Sequence, residues 1–368
     1  MPKVNRGNPN ATKSVGRYLA APLIAPRSSR HGVPASFVAA PSRTIARAVA
    51  FALITGATPL WAGPAGEQVV QGLVTVDRAG AGTVITQTTD RAAINWQSFN
   101  IGANESVRFA LPSASSITLN RVLGQNPTEI LGSLSANGQI FLLNPNGVLF
   151  GQGAQVNVGG LVAATLSLSN EDFMAGRYRF VKDGAAGAVS NAGNIIANGG
   201  YVALIGPQVK NQGTIVATSG SVALAAGDQV TLNLNGNKLI GLTVEQGALN
   251  ALADNKGLIK AGGGQVLLTA KAADQLIKSV VNNDGIIEAA TLSNVNGVIR
   301  LEADNITNSG TLRADGSATQ NDGSIALAAA NDITFASSSI ISASGARGGD
   351  ITVQASTQQS GGTGSVSV

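Results

Sequence analysis

The side chains able to do chemistry are few, and their spacing does not suit it. The chain has no cysteine and a single histidine, His31. Thiol nucleophiles, thiolate metal sites and a disulfide framework are therefore excluded. His31 lies in a leader expected to be removed, which takes Ser-His-Asp hydrolysis and histidine-ligated zinc with it. Carboxylates remain, but Asp183, Asp228, Asp254, Asp284, Asp304, Asp315, Asp322 and Asp332 stand singly, in what read as turns. Glu171-Asp172 is the only adjacent acidic pair, with Arg177 and Arg179 close behind it, and a solvated loop accounts for it. Glycosidic chemistry needs two carboxylates converging on one bond, and a calcium site needs several converging ligands. Neither pattern is present, so no catalytic, metal or cofactor residue is assigned. Trp96, Tyr178 and Tyr201 offer faces for sugar stacking, although packing inside the fold is the simpler role for each.

Charge is divided unevenly along the 368 residues. Residues 1–65 hold eight basic side chains and no acidic one, while the remainder holds 16 basic and 20 acidic. The later Lys and Arg are scattered, which argues against a nucleic-acid surface. Within the leader, Ser42-Arg43-Thr44-Ile45-Ala46-Arg47 precedes the apolar run 48–54, then small and helix-breaking residues as far as Ala62. Basic region, short apolar core and small-residue zone are the order of a secretory signal. Cleavage is expected after Ala62 or Ala65. The apolar run is shorter than the ~20 residues of a membrane-spanning helix, and no later run is long enough, so the mature chain is expected to have no membrane-spanning segment.

From Asn191 the sequence echoes itself. Asn191-Ala192-Gly193-Asn194-Ile195-Ile196-Ala197 leads to Gly200-Tyr201-Val202-Ala203-Leu204, and Asn211-Gln212-Gly213-Thr214-Ile215-Val216-Ala217 leads to Gly220-Ser221-Val222-Ala223-Leu224. The phrase restarts at Asn255, Asn283 and Asn308, giving spacings of 20, 44, 28 and 25 residues. The wide interval is expected to hide a weaker copy around Val230-Thr231-Leu232-Asn233-Leu234. Asn and Gly suit turns because both tolerate left-handed backbone angles. The apolar spacing of two is that of strands, with Val202, Leu204, Val222 and Leu224 pointing inward. One such unit cannot bury its own apolar side, so neighbours must stack. The reading is all-β: a parallel β-helix, or β-solenoid, with coils ~4.8 Å apart. An antiparallel sandwich also has short, regularly spaced strands, but does not require near-identical phrases. The tail after Thr357 shows no amphipathic cap, so the chain is expected either to be the front part of a longer protein or to end in a frayed tail. Three segments result: a leader over 1–65, a less repetitive segment over 66–190 and β-helix repeats over 191–368.

The middle segment carries Asn144-Pro145-Asn146-Gly147-Val148-Leu149-Phe150, preceded by Ala136-Asn137-Gly138 and followed by Gly153-Ala154-Gln155-Val156-Asn157-Val158-Gly159-Gly160-Leu161-Val162-Ala163. On physical grounds Asn144-Pro145-Asn146-Gly147 is a tight turn between strands. In order and spacing, these pieces resemble the N-terminal secretion domain of two-partner-secretion exoproteins, the filamentous haemagglutinin family. A second Asn-Pro-Asn turn found upstream in some members is missing here, its nearest echo being Gln125-Asn126-Pro127-Thr128. The resemblance implies a right-handed parallel β-helix with N-terminal capping strands. It also implies export by the Sec route and then by a type V, two-partner outer-membrane transporter with periplasmic domains, to the cell surface or medium. The family's secretion motif maps onto Asn144, Pro145, Asn146 and Gly147. Backbone constraints explain Pro145 and Gly147 as a structural corner. Asn144 and Asn146 suit either a corner or a surface read by the transporter, through strand addition to an open edge. An adhesive task against host-cell receptors or glycans is expected, with a secreted carbohydrate-active β-helix enzyme as the alternative. The family also contains haem-acquisition proteins, but a mature chain without His or Cys lends a haem role no support.

Overall fold

The structure, a computed structural model, describes residues 63–368 except 275–277, 293–294, 318, 320–322, 357–365 and 368. The expected leader up to Ala62, Asp322 and most of the tail lie outside the described residues. No helix among the described residues is long and apolar enough to cross a membrane.

The chain winds as a parallel β-helix with three faces. One face holds the strands that end on the repeated asparagine: Ala188–Asn191, Gln208–Asn211, Leu252–Asn255 and Val280–Asn283. A second holds Asn194–Ile196, Thr214–Val216, Leu258–Lys260, Ile286–Glu288 and Thr311–Arg313. The third holds longer strands such as Gly160–Ala164, Tyr201–Gly206, Ser221–Ala226 and Gln265–Ala270. Each pairs in parallel with the equivalent strand one coil on, so Val202 sits over Val222 and Leu204 over Leu224. All four are at most 1 % exposed in one continuous core. Each such side chain contributes about 1.5–3 kcal/mol by leaving water. The winding begins early, with Gly82–Gln87 parallel to Ser106–Ala110 and Arg91–Trp96 parallel to Ile117–Val122. Ahead of it Gln68–Gln71 and Val74–Ala79 run antiparallel to the first coil and close its end. These are the expected capping strands.

The glycine of each Asn-x-Gly does something other than adopt a left-handed angle. Gly193, Gly213, Gly257, Gly285 and Gly310 are not among the positive-φ glycines. A Cβ on Gly213 would fall 2.2 Å from the Gly193 carbonyl oxygen of the coil below, so close stacking is what demands glycine there. The asparagines are buried and stack in register. Asn191 Nδ2 donates to Asn211 Oδ1, Asn211 to Asn255 and Asn255 to Asn283, each at 2.8 Å, and Asn283 to Asn308 at 2.7 Å. This amide ladder satisfies polar groups that would otherwise be stranded in the core.

The 44-residue interval hides no coil. Gln229–Asn235 and Lys238–Gln246 form an antiparallel hairpin that pairs with Tyr178–Val181 in a separate three-stranded sheet. Period-two alternation is common to a coil strand and a hairpin strand, so it could not tell them apart; the two-residue Gly236-Asn237 loop, with Gly236 at φ +61, was the usable signal. This sheet and the short helix Asn170–Met174 cover the outer side of the third face. Leu119, Phe141, Val162, Ala203 and Ala223 pack there against Phe173, Tyr178, Phe180, Val230 and Leu232. Gly160–Ala164 and Tyr201–Gly206 are therefore buried at every position and read as near-continuous apolar runs, as strands covered on both sides do.

Candidate functional site

Every coil turns from the third face to the first at one corner, and that corner carries the Asn-Pro-Asn-Gly motif. In its coil the strand Gln139–Leu143 passes through residues 144–147 directly into Val148–Phe150. Two later coils leave at the same corner to build the outer layer, through residues 165–187 and 227–251. The motif thus holds the corner tight just before the first of these excursions.

The turn is closed from inside. Gly147 N–H donates to the Asn144 carbonyl at 3.0 Å, and Asn146 N–H donates to Asn144 Oδ1 at 3.0 Å. Gly147 takes φ +127, a conformation that side-chain-bearing residues rarely adopt. Asn144 is 0 % exposed, and its Nδ2 donates to the Asn126 carbonyl and to Thr128 Oγ1, both at 3.0 Å. Asn146 is exposed, yet its Nδ2 donates to the Gly124 carbonyl at 2.8 Å. The Pro145 carbonyl accepts from Gly187 N–H of the next coil at 2.7 Å. The Gln125-Asn126-Pro127-Thr128 echo is therefore the rung beneath the motif, with Thr128 paired to Val148. Of the four motif residues, only Asn146 is exposed.

Beside the turn lies a shallow hollow lined in part by Arg121, Leu123, Asn146, Leu166 and Asp183. Leu123 is 54 % exposed. Arg121 reaches outward from Ile117–Val122 and donates to Asn95 Oδ1 at 3.1 Å, the Leu168 carbonyl at 2.6 Å and Asn170 Oδ1 at 3.0 Å. Burial lowers its guanidinium pKa. It ties the corner to the start of the short helix, a link that sequence reading missed because its partners lie far along the chain.

Other residues singled out from the sequence settle into structural places. Trp96, Tyr178 and Tyr201 are at most 5 % exposed, which leaves no face for a sugar. Trp96 Nε1 donates to Asn120 Oδ1 at 3.0 Å, and Tyr201 Oη donates to Gln139 Oε1 at 2.6 Å. Burial pushes the Tyr201 hydroxyl pKa well up. Glu171 and Asp172 belong to the helix rather than a loop, and both bridge Arg177, at 3.2 and 2.7 Å. Asp254, Asp304 and Asp332 lie in strands, not turns. Asp254 is 6 % exposed, and burial raises its pKa. No group of three or more His, Cys, Asp or Glu suited to a metal ion occurs among the described residues.

Comparison with known proteins adds to this geometry. The profile of the TPS secretion domain family matches residues 62–314. A heme/hemopexin-binding protein of Haemophilus influenzae is 40 % identical over 251 residues, covering 66 % of this chain and 27 % of its own length. A second Haemophilus influenzae protein of that description is 37 % identical over 267 residues, covering 66 % and 28 %. The chain therefore spans about a quarter of the length of the curated relatives it matches. Among solved structures, the HMW1 secretion domain from Haemophilus influenzae is similar, with a TM-score of 0.72 and 31 % identity over 79 % of this chain and 76 % of that one.

Proposed function

This chain belongs to the TPS secretion domain family, and from that premise we propose that it is the export-directing region of a longer two-partner exoprotein. Proteins of this family are exported across the outer membrane to the cell surface or the medium. In this reading the region engages the periplasmic domains of a dedicated outer-membrane transporter, and the protein it belongs to binds host-cell receptors or glycans. The observation that carries the reading is the family match over 62–314, which takes in the cap, the motif corner and the amide ladder together.

The four motif residues divide by exposure into two jobs. Asn144, Pro145 and Gly147 make the corner, whereas Asn146 presents its exposed side beside Leu123 to the transporter. The relatives' heme/hemopexin binding is not carried over. Residues 63–368 contain neither histidine nor cysteine, the usual axial ligands for haem iron.

The test is the amount of chain reaching the medium when the full sequence is produced with and without a two-partner outer-membrane transporter. Export only with the transporter is expected, and equal export without it refutes the proposal. Asn144→Ala should lower stability and export together. Asn146→Ala should lower export while the unfolding free energy from urea titration falls by no more than a surface hydrogen bond accounts for, about 1 kcal/mol.

A further inference from the structure

The first described residues are built into the cap. Ala65 forms an antiparallel bridge with Ser98: its N–H donates to the Ser98 carbonyl at 2.9 Å, and its carbonyl accepts from Gln97 and Ser98 N–H at 3.0 and 3.2 Å. Pro64 is buried, and its carbonyl accepts from Arg78 Nη2 at 2.9 Å. The same guanidinium grips the Glu67 carboxylate at 2.6 and 2.8 Å, fastening residues 64–67 to the strand Val74–Ala79. A polypeptide beginning at Gly66 would lose the Arg78 contact to Pro64 and all three backbone bonds of Ala65.

We infer that the leader is cut between Ala62 and Gly63, so that Gly63-Pro64-Ala65 remains as the outermost turn of the cap. This rests on the export reading above and deepens it by fixing the processing bond. Ala62 supplies the small residue that leader peptidase needs immediately before the cut. The new α-ammonium at Gly63 emerges in a hollow whose walls include Glu105, Thr83 and Ser106 together with Arg78, whose own charge is paired with Glu67. Cutting after Ala65 fits the A-x-A-like pattern more closely, with Gly63 three residues before the cut where a cut after Ala62 has Leu60, but it discards the segment that Arg78 and Ser98 hold.

The full chain is produced in a Gram-negative host, and the N-terminus of the processed protein is read by Edman degradation and intact mass. The expected start is Gly63-Pro64-Ala65-Gly66-Glu67. A processed, exported protein starting at Gly66 or at any other residue overturns the inference and leaves export standing. A chain that keeps its leader and never leaves the cytosol overturns both. Ala65→Leu, at an exposed position, should still be cut with the start unchanged, whereas Ala62→Leu should abolish or displace the cut. The reverse pattern overturns the inference even if the wild-type start proves ambiguous.

Discussion

Single side chains in this solenoid act through the coil above and the coil below. Asn255 is the clearest case, since it accepts from Asn211 and donates to Asn283 inside the core. Asn255→Ala strands one buried donor and one buried acceptor at about 1–3 kcal/mol each, so urea unfolding should show a loss of about 2–6 kcal/mol. Asn198→Ala, at an exposed position bonded only to Thr218 N–H at 3.1 Å, should cost less than about 1 kcal/mol in the same assay. Asp315 gives the stack a dependence on acid. Burial pushes its carboxyl up, but hydrogen bonds from Ser342 Oγ, Ser344 N–H, the Arg313 guanidinium and Ser344 Oγ outweigh that and hold it at about 2, against an ordinary 3.8. A carboxyl lowered in the folded state stabilises fully above its unfolded value, and that stability drains away as it is protonated. Thermal midpoints should therefore fall as pH drops from about 4 towards about 2, and Asp315→Asn should flatten that limb, starting from a lower midpoint at neutral pH.

Between elements, the distance from coil to coil is set by backbone touching backbone. Gly213→Ala drives a Cβ to 2.2 Å from the Gly193 carbonyl, and Gly257 leans on the Gly213 carbonyl in the same way. Neither carbonyl can yield without breaking its ladder, so a loss of about 3 kcal/mol is expected from overpacking. Gly199→Ala is the comparison: φ is +73 but nothing lies within 4 Å. Only the left-handed strain of about 1–2 kcal/mol applies there. The contrast explains what could be read from the sequence. The repeated phrase, its period of two and the inward Val202, Leu204, Val222 and Leu224 were legible because each depends on local pattern and on stacking a near-identical neighbour. The outer layer was not, because Tyr178–Val181 pairs with Gln229–Asn235 across roughly fifty intervening residues, and nothing in either strand names the other. The motif corner was half legible. Its turn chemistry follows from Pro and Gly, but the burial of Asn144 depends on the rung supplied by Asn126 and Thr128.

For the molecule as a whole, order of folding follows from connectivity. A coil pairs only with the one before it and the one after it, as in the run from Leu161 to Val202 to Val222 to Val266. The first pairing brings distant residues together and is slow; each later coil finds a finished edge to join. The antiparallel cap closes the other end, so growth runs from the N-terminus, the order in which an exported chain would emerge. On the export reading proposed above, stacking energy gained outside would bias movement through the pore. Replacing Val202, Leu204, Val222 and Leu224 with Asp puts four carboxylates into two adjacent coils of the core, a penalty beyond the roughly 5–15 kcal/mol by which a native protein is usually stable. If coil formation draws the chain outward, the quadruple variant should reach the medium several-fold more slowly, with the arrested species protected from added protease only in the coils ahead of Val202. Asn194→Asp with Thr214→Asp, which adds charge to outward positions of the same coils, should leave export at the wild-type rate. Undiminished export of the quadruple variant would mean that the transporter moves this chain without help from its fold, and the solenoid would then matter only after release.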